Sequence, residues 1–229
     1  MAESENPLES TPAETTIELV AIALQAVPVA GGILSGTATF FLDRRKNERL
    51  KKFLVNLAED LNQVQEKVNS DFIKGDEFRD LTEDIFSKAS ETRQQEKLDA
   101  LRAVFLNTVL SKKPKYDEAE EITTLIYNWQ SRHIVLIKIL SDPLTADKQR
   151  GNIVGHGGGL TTSIEEMLLK LLPDWDSDQI ERTWKDLYDK AINKTPGTKG
   201  NMSDKGIHQL EGRLTEFGLK VAQYLTNPI

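Results

Sequence analysis

LVAIALQAVPVAGGILSGTATFFL, residues 19–42, holds 24 consecutive positions without a charge, and DRRKNERLKK, residues 43–52, follows it directly. A helix of that length, rising about 1.5 Å per residue, matches the ~30 Å hydrocarbon core of a bilayer. Arg44, Arg45, Lys46, Arg49, Lys51 and Lys52 stand against Glu48 where a cytoplasmic anchor would place its cations. The stretch divides at Pro28, which removes a backbone donor and restricts Val27. Gly31, Gly32 and Gly36 each cost about 1 kcal/mol against alanine in a helix interior. Gly32 and Gly36 lie one turn apart, as do Gly31 and Ser35, and such small residues let two helix backbones approach closely. Insertion is near balance: about eleven strongly apolar residues contribute roughly −4 to −5 kcal/mol, opposed by Gln25, Pro28, the glycines, Ser35, Thr37 and Thr39. Three roles stay open: a single-pass anchor, a buried helix of a bundle, or a segment that leaves the bundle after a trigger.

Downstream the pattern is amphipathic helix. Leu50, Leu54, Leu57, Leu61, Val64 and Val68 step by four and three, an a/d seam over 44–68. Phe78, Leu81, Ile85 and Ala89 repeat it over 76–91, and Leu98, Leu101, Phe105 and Val109 over 94–110. A single long helix is expected over 117–141, its first turn rich in acid and its stop at Asp142–Pro143. The spacing predicts an all-α fold, with an antiparallel helical bundle over 17–142 that includes the glycine-containing apolar helix. GNIVGHGGGL marks a flexible linker over 143–160. A small module over 161–229 is expected to hold helices at 163–172, capped by Ser163, at 177–193 and at 215–225, with a loop or hairpin over 195–213. That order of helices and wing is winged-helix-like. The opening 1–16, acidic and rich in Pro, Ser and Thr, reads as a disordered tail rather than a secretory signal.

Composition excludes several chemistries. The chain has no cysteine, so disulfides, thiolate metal sites and cysteine nucleophiles are absent together. Its net charge of −7 argues against bulk nucleic-acid binding. Residues 161–229 carry nine basic and eleven acidic side chains, so a phosphate backbone would meet repulsion there, and a protein partner suits this module better. His133, His156 and His208 are too far apart in sequence for a helical metal pair, and His133 is expected as a packing residue. The glycines at 155 and 157–159 lack the Gly-Lys-Ser/Thr of a phosphate loop. Glu59–Asp60, Glu83–Asp84 and Glu120–Glu121 fall on polar helix faces, and Trp129, Trp175 and Trp184 read as core or interface anchors. No nucleophile–histidine–acid set emerges, so neither enzyme nor cofactor nor metal is expected.

VPVAGGILSG followed by DRRKNERLKKFLVNLAEDL, with KASETRQQEKLDALRAVFLNTVL and the terminal RLTEFGLKVAQYL, resembles uncharacterised bacterial helical proteins. More distantly, the layout is similar to HeLo/Bell-type helical bundles of cell-death and anti-phage effectors. The resemblance implies a non-enzymatic cytoplasmic protein that acts at the inner membrane or by self-assembly. In those bundles the apolar element often opens the chain, whereas sixteen polar-rich residues precede it here. Gly31, Gly32, Ser35 and Gly36 are then the expected membrane or helix-packing positions. Arg44, Arg45, Lys46, Arg49, Lys51 and Lys52 are the expected contacts to anionic lipid, at about 1 kcal/mol per charge. The alternative is a soluble regulatory or scaffold protein that binds a partner through its C-terminal module.

Overall fold

The computed structural model describes residues 44–64, 67–69, 71–155, 162–199 and 203–229. The fold is all-α: among the described residues there are nine α-helices and two short 3-10 turns, and β-pairing is limited to two isolated bridges. The chain divides after Tyr127 into two compact units. Of the described residues, 44–127 and 227–229 belong to the first and 128–226 to the second.

The first unit contains α1 (Arg44–Val64), α2 (Asp76–Glu91), α3 (Gln95–Leu110) and α4 (Tyr116–Asn128). The predicted seam of α1 is the buried one: Leu50, Leu54, Leu57, Leu61 and Val64 turn inward, joined by Phe53. Each such side chain contributes about 1.5–3 kcal/mol on burial. The seam packs on α2 and α3, which also pack on each other. Val68, the last expected seam position, is half-buried in a bend and not in the helix. Phenylalanines lock the three helices together. Phe105 of α3 stacks on Phe86 with centroids 6.1 Å apart and meets Phe78 edge-on at 5.8 Å, both on α2. Phe86 in turn meets Phe53 of α1 edge-on at 6.0 Å. α4 is tied to this group by polar contacts. The Lys97 ammonium of α3, largely buried, donates to the Tyr127 carbonyl at 2.6 Å and so caps one of the orphan carbonyls at the end of α4.

The second unit contains α5 (Ser131–Ser141), α6 (Pro143–Gln149), α7 (Ile164–Leu171), α8 (Ser177–Asp189) and α9 (Glu216–Leu225). α5 packs on α6, α8 and α9, and α7 packs on α8. The single helix expected over 117–141 is two helices. The break at Trp129–Gln130 is built at Gln130, the N-cap: its carbonyl accepts from the His133 N–H at 3.0 Å, and its own N–H donates to His133 Nδ1 at 3.1 Å. Asp142 caps α6 with Pro143 at its first position, so the stop expected at 142–143 is also a start.

The sequence places a linker at 143–160, but the units divide at Tyr127/Asn128 and residues 143–149 are helix. The start of the glycine-rich run is also held. Asp147 is buried, and its carboxylate accepts from the Val154 N–H at 2.9 Å and the Gly155 N–H at 3.3 Å. The capping box expected at Ser163 is formed with Glu166. The helix expected over 177–193 ends at Asp189, and Ala191 takes a positive φ of 56° as the chain turns. Over 195–213 no two-stranded wing is present among the described residues. Gly206–Leu210 is a 3-10 turn, and Asn193 pairs with Leu214 in a lone antiparallel bridge. That bridge brings α9 so near that a Cβ on Gly218 would stand 2.1 Å from the Ile192 carbonyl oxygen.

Candidate functional site

Arg44, Arg45, Lys46, Arg49, Lys51 and Lys52 all lie within residues 44–52 of α1, with Glu48 as the acid among them. Lys46 is partly engaged: its ammonium lies 2.9 Å from Glu91 Oε1 on α2. Glu91 also accepts the Tyr127 hydroxyl at 2.6 Å. That hydrogen bond, then Lys46, holds the Glu91 carboxyl below the usual carboxylate range. Lys51 and Lys52 are exposed and make no ion pair among the described residues. Arg49 is half-buried; its Nε is shielded from solvent and has no hydrogen-bond partner.

Arg49 and Lys52 face a recess of about 170 Å³ that α1 forms with the α2–α3 connection and α3. Arg93 from the connection and Arg102 from α3 also line it, with Phe53 and Leu98 as apolar wall and Asn56 and Gln95 as neutral polar groups. A second, more open cavity of about 420 Å³ shares Arg49, Lys52 and Arg93 with it and adds Glu48. Arg102 is committed to acids. Its Nε lies 2.6 Å from Asp60 Oδ2, as an ion pair without hydrogen-bond alignment, and its Nη2 lies 3.4 Å from Asp99. Burial nevertheless pushes the Asp60 carboxyl above its usual range, more than Arg102 lowers it. Arg49, Lys52 and Arg93 make no ion pair among the described residues.

The structure thus groups Arg49 and Lys52 with Arg93, which sequence reasoning missed. Arg93 sits in a short connection, and nothing in its neighbourhood links it to α1. Arg44 and Arg45 lie in the first turn of α1, with side chains outside the described residues. Gly31, Gly32, Ser35 and Gly36 lie outside the described residues altogether, as do His156 and the tail 1–16.

The other expected residues have structural places. Trp129 and Trp184 are buried, and Trp184 Nε1 donates to the Thr195 carbonyl at 2.7 Å. His133 is buried, stacks on Trp129 with rings 10° from parallel, and reaches Asp186 Oδ2 through Nε2 at 3.2 Å. Because the Gln130 N–H donates to Nδ1, the neutral ring carries its proton on Nε2. A second cavity, about 430 Å³ and open, lies in the second unit; two of its cations are engaged, Lys194 with the Gly212 carbonyl and Arg213 with the Gln209 carbonyl, both at 2.8 Å, and Glu211 lines it beside Lys205.

Among the described residues no group of three or more His, Asp or Glu is placed to hold a metal ion, and no helix is long and apolar enough to cross a membrane. No protein-family model, no curated protein and no solved structure matches the chain.

Proposed function

We propose that this protein acts by binding rather than catalysis, through conditional association with an anionic membrane surface. The basic start of α1 docks on headgroups. The uncharged stretch 19–42 then inserts or self-associates along its Gly31, Gly32, Ser35 and Gly36 positions. The setting is a bacterial cytoplasm with action at the inner membrane, as in the HeLo/Bell-type effectors that the sequence resembles. One observation carries the proposal: Lys51 and Lys52 are exposed and make no ion pair among the described residues, on a helix whose other face is locked into the first unit, directly after the apolar stretch. A cationic surface held on a packed helix costs little further ordering when it meets lipid.

Flotation with phosphatidylcholine vesicles containing phosphatidylglycerol, paired with dye release, tests it. The double variant Lys51→Glu, Lys52→Glu loses two positive charges at about 1 kcal/mol each, about thirtyfold in binding, and the two negative charges it gains add to that loss. Both positions are exposed, so circular dichroism should match the wild type. Absence of binding and of leakage with anionic vesicles, alone or after oligomerisation, ends the proposal. A second reading, a soluble regulatory or scaffold protein, is favoured by the four large apolar side chains that the second unit leaves exposed, Leu144, Ile153, Tyr188 and Leu219. It expects the chain in the soluble fraction at every salt concentration.

A further inference from the structure

We infer that the recess between α1, the α2–α3 connection and α3 is a phosphate-binding site, for the dianionic phosphomonoester end of a ligand. This deepens the membrane proposal and rests on it only for the source of the phosphate. Three cations that make no ion pair among the described residues, Arg49, Lys52 and Arg93, converge on one cavity from two parts of the chain. Glu48 in the more open cavity offsets one charge, and Asp60 with Asp99 occupies Arg102, so the site suits a dianion better than a bulky polyanion.

Two guanidinium groups offer the planar donor pairs that match phosphate oxygens, and the ammonium adds a point charge. The size agrees: about 170 Å³ holds the volume of about five waters, enough for a phosphate and part of its hydration. Phe53 and Leu98 in the wall thin the surrounding water and so strengthen the attraction.

The test uses the full chain and inorganic phosphate as probe, with sodium chloride at matched ionic strength as reference. Phosphate is expected to raise the melting temperature saturably beyond chloride. Arg93→Gln, on an exposed connection, and Arg49→Gln are each expected to weaken phosphate binding in calorimetry by about tenfold to a hundredfold. Lys112→Gln, exposed and outside the recess, is expected to bind as the wild type does. Equal melting shifts in phosphate and chloride overturn the site, as does unchanged affinity in Arg93→Gln, which stays informative even if Arg49→Gln fails to fold.

Flotation on phosphatidylcholine vesicles containing phosphatidic acid separates the sources. Flotation lost in Arg93→Gln, with phosphate binding present, supports the site and makes a lipid headgroup its ligand. Phosphate binding without flotation supports the site with a soluble phosphomonoester and ends the membrane proposal. Flotation without a phosphate-specific effect overturns the site and leaves the membrane proposal standing.

Discussion

His133 carries three roles on one ring: it completes the N-cap of α5, stacks on Trp129 and donates to Asp186. Burial pushes its pKa below the ordinary 6.5, against the pull of Asp186 and the Gln130 carbonyl and with a small push from Arg132. Protonation also turns Nδ1 from acceptor to donor, which breaks the bond from the Gln130 N–H. The linkage follows. Between 6.5 and the lower folded value, the unfolded chain holds a proton here that the folded chain does not. Stability is therefore full above 6.5 and declines as pH falls through that value, levelling off below the folded pKa. Urea midpoints between about pH 7.5 and about pH 5 should fall more steeply for the wild type than for His133→Gln. Parallel profiles would count against it. The sequence placed His133 in the packing, but not its cap, because Gln and His are unusual capping partners.

Helices are where sequence periodicity spoke most plainly. α2 runs Asp76–Glu91, as its spacing predicts, and Ser163 starts α7 as its capping signature predicts. The failure at Trp129–Gln130 has a clear cause. Apolar spacing continues across the break, and no Pro or Gly announces it, so only the cap geometry reveals the new start. Between elements, the phenylalanine cluster joins α1, α2 and α3, and Phe105 touches two of its rings. Phe105→Ala should cost the first unit about 3–5 kcal/mol, and Phe105→Leu, which leaves a smaller void, should cost less. Denaturant midpoints followed by near-ultraviolet circular dichroism would show it. Equal midpoints for Phe105→Ala and wild type would mean the cluster is not a keystone of the unit.

Taken whole, the molecule has a net charge of −7, so attraction to an anionic surface must come from a local cationic patch and must overcome general repulsion. Such an encounter is screened strongly by salt. The initial rate of tryptophan-to-lipid energy transfer with anionic vesicles should fall by at least about tenfold between about 0.05 M and about 0.5 M sodium chloride. A salt-independent rate would assign the first contact to apolar burial and not to the lysines and arginines of α1. The division of the chain also belongs here. A run of glycines reads as a joint, yet the buried Asp147 carboxylate holds its start, and the units part after Tyr127 instead.

All-helical architecture, most helix spans, the inward seam of α1 and the basic cluster at its start were legible in the chain as written. Each depends on neighbours three or four positions apart, and such spacing is visible along a line. The meeting of Arg49 and Lys52 with Arg93, the exposure of Lys51, the capture of Lys46 by Glu91 and the place where the chain divides were not. These depend on which residues distant in sequence come together, and only the packing of one helix on another sets that.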